Sequence, residues 1–114
     1  MIEQSSDRQV FRLQYPEGQA ARFQTPLGEF DVLDCSEGGL CCRVTGDWRP
    51  EVSRTLQGQI AFNCGDTVDV AGFVRWVRGD RVALRFSRSI SARPIMNEQR
   101  WLRDQAKQTQ QDAD

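Results

Sequence analysis

Thr67 to Phe86 reads "TVDVAGFVRWVRGDRVALRF". Two runs rich in β-branched and aromatic residues flank Gly79 and Asp80, a pair suited to a tight turn, so the stretch predicts a β-hairpin. On the first run Val74, Trp76 and Arg78 alternate onto one face.

Upstream of the hairpin the chain continues in short strand-like pieces. "LQGQIAFN" (Leu56 to Asn63) sets Leu56, Gly58, Ile60 and Phe62 against mostly polar neighbours, and "CGD" follows as a turn. "GDWRPEVSRT" (Gly46 to Thr55) is a polar loop. Before it, "GLCCRVT" (Gly39 to Thr45) and "EFDVLDCS" (Glu29 to Ser36) read as strands. In the latter, alternation puts Phe30, Val32 and Asp34 on one face and Asp31, Leu33 and Cys35 on the other. "AARFQT" (Ala20 to Thr25) and Val10 to Tyr15 are further strands, bounded by the turns "PLG" and "PEGQ". Strands at this spacing, with turns between, suggest a small antiparallel barrel or sandwich.

Downstream the period changes. "SARPIMNEQRWLRDQAKQ" (Ser91 to Gln108) places Ile95, Met96, Trp101 and Leu102 near helical spacing, with Pro94 in the first turn. A closing helix is expected at about 92–107, with Trp101, Leu102 and Met96 toward the core. The tail 108–114 has nothing to bury and is expected to be disordered. The polar segment 1–9 is expected to be flexible, and 10–107 to form one domain.

Composition narrows the function. The 114 residues are 39% hydrophobic and 27% charged, with a net charge of -1. That balance argues against a general nucleic-acid binder, which carries a strongly basic face. It leaves room for a small anion held by a few arginines. No apolar run reaches the ~20 residues of a membrane span. The start has no signal-peptide pattern, and a cytoplasmic monomer is expected. Cys35, Cys41, Cys42 and Cys64 are expected to be reduced and buried, since a zinc site would want C-x-x-C pairs or a histidine partner. The chain has no histidine, and adjacent Cys41 and Cys42 should point to opposite faces, so no metal site is expected. With no paired acids in a cleft signature, no histidine and no credible metal set, the sequence argues against an enzyme, and no catalytic residue or cofactor is assigned.

Two short patterns carry the chemistry. In "DRQVFR" (Asp7 to Arg12), Arg8 and Arg12 are four apart. A guanidinium forks onto phosphate and also lies flat on an aromatic base. In "DCSEGG" (Asp34 to Gly39), Asp34 and Ser36 project from the same strand face. A carboxylate accepts two hydrogen bonds from the amide-like edge of guanine, a hydroxyl adds a donor or acceptor, and Gly39 permits close backbone approach. Trp76 is a candidate for stacking a purine. Trp48, if exposed in its polar loop, would mark a partner surface.

Arg8-x-x-x-Arg12 followed by Asp34-x-Ser36-x-x-Gly39 resembles the two-part signature of the PilZ domain family, bacterial receptors for cyclic di-GMP. The late hairpin "VRWV…VALRF" and the closing "EQRWLRDQ" (Glu98 to Gln105) also look like that family, so the resemblance runs from about Asp7 to Gln105. It implies a six-stranded antiparallel split barrel with a C-terminal helix. It implies that Arg8 and Arg12 bind phosphates and stack on guanine, that Asp34 and Ser36 read a guanine edge, and that Gly39 admits the ligand to the backbone. Asp7 and Gln9 around Arg8 depart from the family's arginine-rich pattern, and an acid there works against a doubly negative ligand. The reading that follows is a cyclic di-GMP receptor that changes its surface for an unidentified protein effector. The alternative is a PilZ-like protein-interaction module that binds no nucleotide.

Overall fold

The computed structural model describes residues 11–113. The described residues form seven strands and one helix: β1 (Arg12–Gln14), β2 (Ala21–Thr25), β3 (Gly28–Ser36), β4 (Gly39–Arg43), β5 (Thr55–Ala61), β6 (Thr67–Arg78), β7 (Arg81–Phe86) and α1 (Ala92–Ala113). All pairings are antiparallel, and the sheet order is β1-β3-β2-β5-β6-β7-β4. An added β3–β4 pairing closes the strands β2 to β7 into a six-stranded barrel, with β1 as an extra strand. Closure leaves those six without a long free edge.

Strand β3 makes the split. Its first half pairs with β2, from Gly28 to Val32, and its last three residues pair with β1, from Asp34 to Ser36. Leu33 lies at the changeover and its carbonyl accepts the Tyr15 N–H (3.0 Å). The hairpin read from the sequence is β6–β7, closed by the Arg78–Arg81 pair. Gly79 has φ 61°, the positive value that a type II′ turn needs at its first central residue.

Two β-bulges decide which way the site residues point. On β3 the register with β4 shifts between Val32 and Asp34. The expected face of Phe30, Val32 and Asp34 is therefore broken: Phe30, Val32 and Cys35 are buried, and Asp34 turns outward. One extra residue flips every side chain beyond it, because the strand period is two. On β6 the register with β7 shifts between Val74 and Trp76. Val74 and Val77 face the core, whereas Arg75, Trp76 and Arg78 do not, so the expected sharing of a face by Val74 and Trp76 is also corrected.

Phe23, Ile60, Val32, Val74 and Val82 are almost fully enclosed inside the barrel. Each such side chain contributes roughly 1.5–3 kcal/mol of burial. The loop before β5 is tied down by Arg49, which donates to the carbonyls of Gly79 (2.6 Å), Gly46 (2.7 Å) and Trp48 (2.7 Å). Trp48 is partly exposed, and its ring stacks on Phe30 with centroids 6.0 Å apart.

Helix α1 is capped by Ser91, whose hydroxyl oxygen accepts the Arg93 N–H (3.2 Å). It buries Ile95 and Glu98 and packs Leu102 against the core. Met96, expected on that face, is 60% exposed, and Trp101 is half-buried. The helix faces the barrel with Glu98, at i+3 from Ile95, because four donors wait there. Tyr15 Oη–H (2.7 Å), Asn63 N–H (2.9 Å) and Asn63 Nδ2 (3.1 Å) donate to one carboxylate oxygen, and Cys64 N–H (2.9 Å) to the other. A buried polar group is stable only when satisfied in this way. The helix also runs to Ala113, past the expected end near 107, through glutamines, a lysine and alanines that favour helix.

Candidate ligand-binding site

On the outer wall of the barrel, strand register lines up two rows of residues. The first runs Arg12, Ser36, Gly39, Arg85, Phe73 across β1, β3, β4, β7 and β6. The second runs Gln14, Asp34, Cys41, Ala83, Trp76 across the same strands. The middle of each row is small: Ser36 and Gly39 in one, Cys41 and Ala83 in the other. The flanks are long or aromatic. Small residues between large ones make a concave floor, here a cleft of about 720 Å³. It is lined by Arg12, Asp34, Ser36, Gly39 and Trp76, together with Arg75, Arg81 and Arg85.

Five of the six residues singled out in the sequence thus meet in one place. The sixth, Arg8, lies outside the described residues, as does the segment 1–9. Arg12 forms a direct ion pair with Asp34 through Nη1 and Oδ1, with side chains 50% and 24% exposed. The carboxylate keeps accepting capacity beyond that contact and opens to solvent. Ser36 is buried, and its hydroxyl serves the β3–β4 turn. It accepts the Gly38 N–H (3.3 Å) and lies 3.5 Å from the Gly39 carbonyl. A Cβ on Gly39 would overlap the Leu84 carbonyl oxygen of β7, so the glycine is required for β4 to sit against β7 as well as for a shallow floor. Trp76 is half-buried with Arg78 4.5 Å from its ring centroid, a cation–π contact. Cys41 lines the cleft while Cys42 enters the core, the opposite orientations expected of neighbours. Burial and then the Asp34 charge raise the Cys41 thiol above its usual range.

Sequence reading found Trp76 on β6 but missed the arginines of β6 and β7. Arg75, Arg81 and Arg85 take part in none of the ion pairs among the described residues. The bulge at Arg75 lets two successive residues, Arg75 and Trp76, both face the cleft. Its signal was present: the core valines Val74 and Val77 are three apart where alternation demands two. Val32 and Cys35 show the same gap on β3. A second cleft, of about 710 Å³, lies beyond Asp34 and includes Arg22 and Arg43. Those two arginines are held by Asp31 and Asp80, each at 3.4 Å; Arg81 lines this cleft too, but Glu17, Asp31 and Asp34 balance its arginines, whereas the first cleft sets Arg12, Arg75, Arg81 and Arg85 against Asp34 alone.

The family model for the PilZ domain matches residues 6–104. No curated protein matches the chain significantly. Among solved structures, the fold is similar to the Bacillus subtilis inhibitor of motility, with a TM-score of 0.64 and 16% identity over 88% of this chain. This chain spans about half of that protein, 51% of its length. It is also similar to the PilZ domain of Escherichia coli YcgR solved with c-di-GMP, with a TM-score of 0.59 and 16% identity, covering 93% of this chain and 96% of that one. With the motif residues gathered on the barrel wall and nearly the whole chain matched, the chain belongs to the PilZ domain family.

Proposed function

We propose that the chain is a bacterial, cytoplasmic receptor for cyclic di-GMP that acts by binding, and that a partner protein reads its ligand-bound surface. The observation that carries the reading is the cleft's charge arrangement. Asp34 stands in a ring of Arg12, Arg75, Arg81 and Arg85, the last three without an acid among the described ion pairs. A lone carboxylate amid arginines suits a ligand with two anionic phosphates and a base edge rich in N–H donors. The fold relationship to a domain whose structure holds c-di-GMP supports the same ligand.

In this reading Asp34 accepts the ring and exocyclic N–H groups of guanine. Arg12 stays beside it and faces a phosphate, with Arg8 on the other side of the ligand. Arg75, Arg81 and Arg85 offset the second phosphate, which answers the unfavourable Asp7. Ser36 holds the turn that brings Gly39 to the floor, and Trp76 offers a flat face to a purine. The surface change comes from the segment bearing Arg8, drawn onto the cleft by the ligand. Binding can drive that change only to the extent that the ligand prefers the drawn-in state.

Calorimetric titration with cyclic di-GMP, cyclic di-AMP and GMP tests this. Saturable heat is expected with cyclic di-GMP alone. Adenine leaves Asp34 without its donors, at a cost of ~1–3 kcal/mol, and GMP lacks the second phosphate and base. Equal affinity for both cyclic dinucleotides would remove Asp34 from base reading, and no heat with cyclic di-GMP would end the receptor reading.

A further inference from the structure

Helix α1 has a long face turned away from the barrel. Arg93, Met96, Arg100, Arg103 and Lys107 are all exposed. Their intervals of three, four, three and four place them in one stripe along the helix. At 1.5 Å per residue the stripe is about 21 Å long. None of its cations belongs to an ion pair among the described residues. Between Arg93 and Lys107 the acids are Glu98, which is enclosed, and Asp104, which is exposed beside the stripe at i+4 from Arg100 and offsets one of its four cations. Arg100, Arg103 and Lys107 are like charges at intervals of three and four, which weakens an isolated helix. The chain as a whole is slightly acidic, so this stripe is a segregation of charge rather than a sample of the composition.

We propose that this stripe is the docking surface for an acidic helical segment of a protein partner. The proposal rests on the adaptor part of the reading above, and does not need the cleft to bind nucleotide. The three-four spacing is that of one helix face meeting another, so acids repeated at the same interval would neutralise all four cations at once. Met96 supplies a flexible apolar contact in the middle of the stripe. An anionic membrane is a poorer occupant. A helix that lies on lipid needs large apolar side chains opposite its cations. Here Ile95 and Leu102 are committed to the barrel, and Met96 is the one apolar residue on the stripe.

The test uses the full chain and a labelled synthetic helical peptide with glutamates at alternating intervals of three and four. Fluorescence anisotropy should show saturable binding that weakens as salt rises. The quadruple variant R93Q/R100Q/R103Q/K107Q should bind about tenfold more weakly or worse, with its circular dichroism unchanged because glutamine is a good helix former. A peptide of the same composition with glutamates spread around the helix should also bind more weakly. Equal affinity for the two peptides, or unchanged affinity in the variant, would overturn the proposal. So would binding to phosphatidylserine vesicles with none to the peptide. Calorimetry separates the two readings. Peptide binding without cyclic di-GMP binding removes the receptor and keeps the docking surface; the reverse removes the docking surface alone.

Discussion

Two carboxylates of this barrel have opposite surroundings. Glu98 is fully enclosed, belongs to none of the ion pairs among the described residues, and is met by donors from Tyr15, Asn63 and Cys64. Asp34 is partly open, carries one ion pair, and stands among arginines. Glu98 has its hydrogen-bonding capacity used by the protein itself, so its role is to hold α1 against the β1 end and the β5–β6 turn. Asp34 has capacity left for a molecule from solution. In the proposed function, the spare, solvent-facing capacity is what makes Asp34 the binding group, while the completed shell makes Glu98 a structural one.

The sharpest way to break this comparison is Glu98→Ala. Removing the carboxylate leaves a part-buried hydroxyl and two part-buried backbone N–H groups without their acceptor, and each such loss costs up to ~1–3 kcal/mol. A drop of about 3 kcal/mol or more in unfolding free energy is expected by urea denaturation. A loss below about 1 kcal/mol would show that water satisfies the same donors and that Glu98 is not the clamp.

On the other side of the comparison, Arg12→Ala and Arg8→Ala should leave stability nearly unchanged. The exposed Arg12–Asp34 pair contributes at most about 1 kcal/mol to folding. Each variant should weaken cyclic di-GMP binding by about 1.5–3 kcal/mol, or roughly ten- to more than hundredfold, read by calorimetry. Wild-type affinity in either would return that arginine to the solvated surface.

Alkaline unfolding sharpens the contrast between interior and cleft. Burial pushes the Cys35 and Cys42 thiols up to about 12 from an ordinary 9.0, and raises Tyr15 further, helped by its bond to Glu98. These folded values lie above the unfolded ones, so the unfolded chain loses its protons first. The stabilisation is complete below pH ~9 and is lost as pH rises toward 12, at up to about 1.4 kcal/mol per pH unit per group. Stability that stayed level through this window would contradict the enclosed thiols. The smallest effect is expected from Arg85→Ala at the cleft rim, a few-fold loss of ligand affinity with a shallower salt dependence. An unchanged salt dependence would exclude Arg85 from phosphate binding.

Much of this was legible in the chain. The Gly79–Asp80 hairpin, the strand and turn alternation, and the change to helical period near Ser91 follow from local rules of turn chemistry and periodicity. The motifs around Arg12 and Asp34 were legible only in combination: each alone reads as a solvated pair or a strand-ending turn, and together in this order they resemble the PilZ signature. What the tertiary structure alone decided is direction and company. Strict alternation placed Asp34 with the core residues Phe30 and Val32, and Trp76 with Val74. Two bulges, at Leu33 and Arg75, reversed both, since one inserted residue inverts a period of two. The choice of Glu98 over Met96 for the helix's inner face depended on donors 34 and more residues away in sequence. Periodicity sees only the helix's own residues, and an enclosed carboxylate is stable only through partners that folding brings to it.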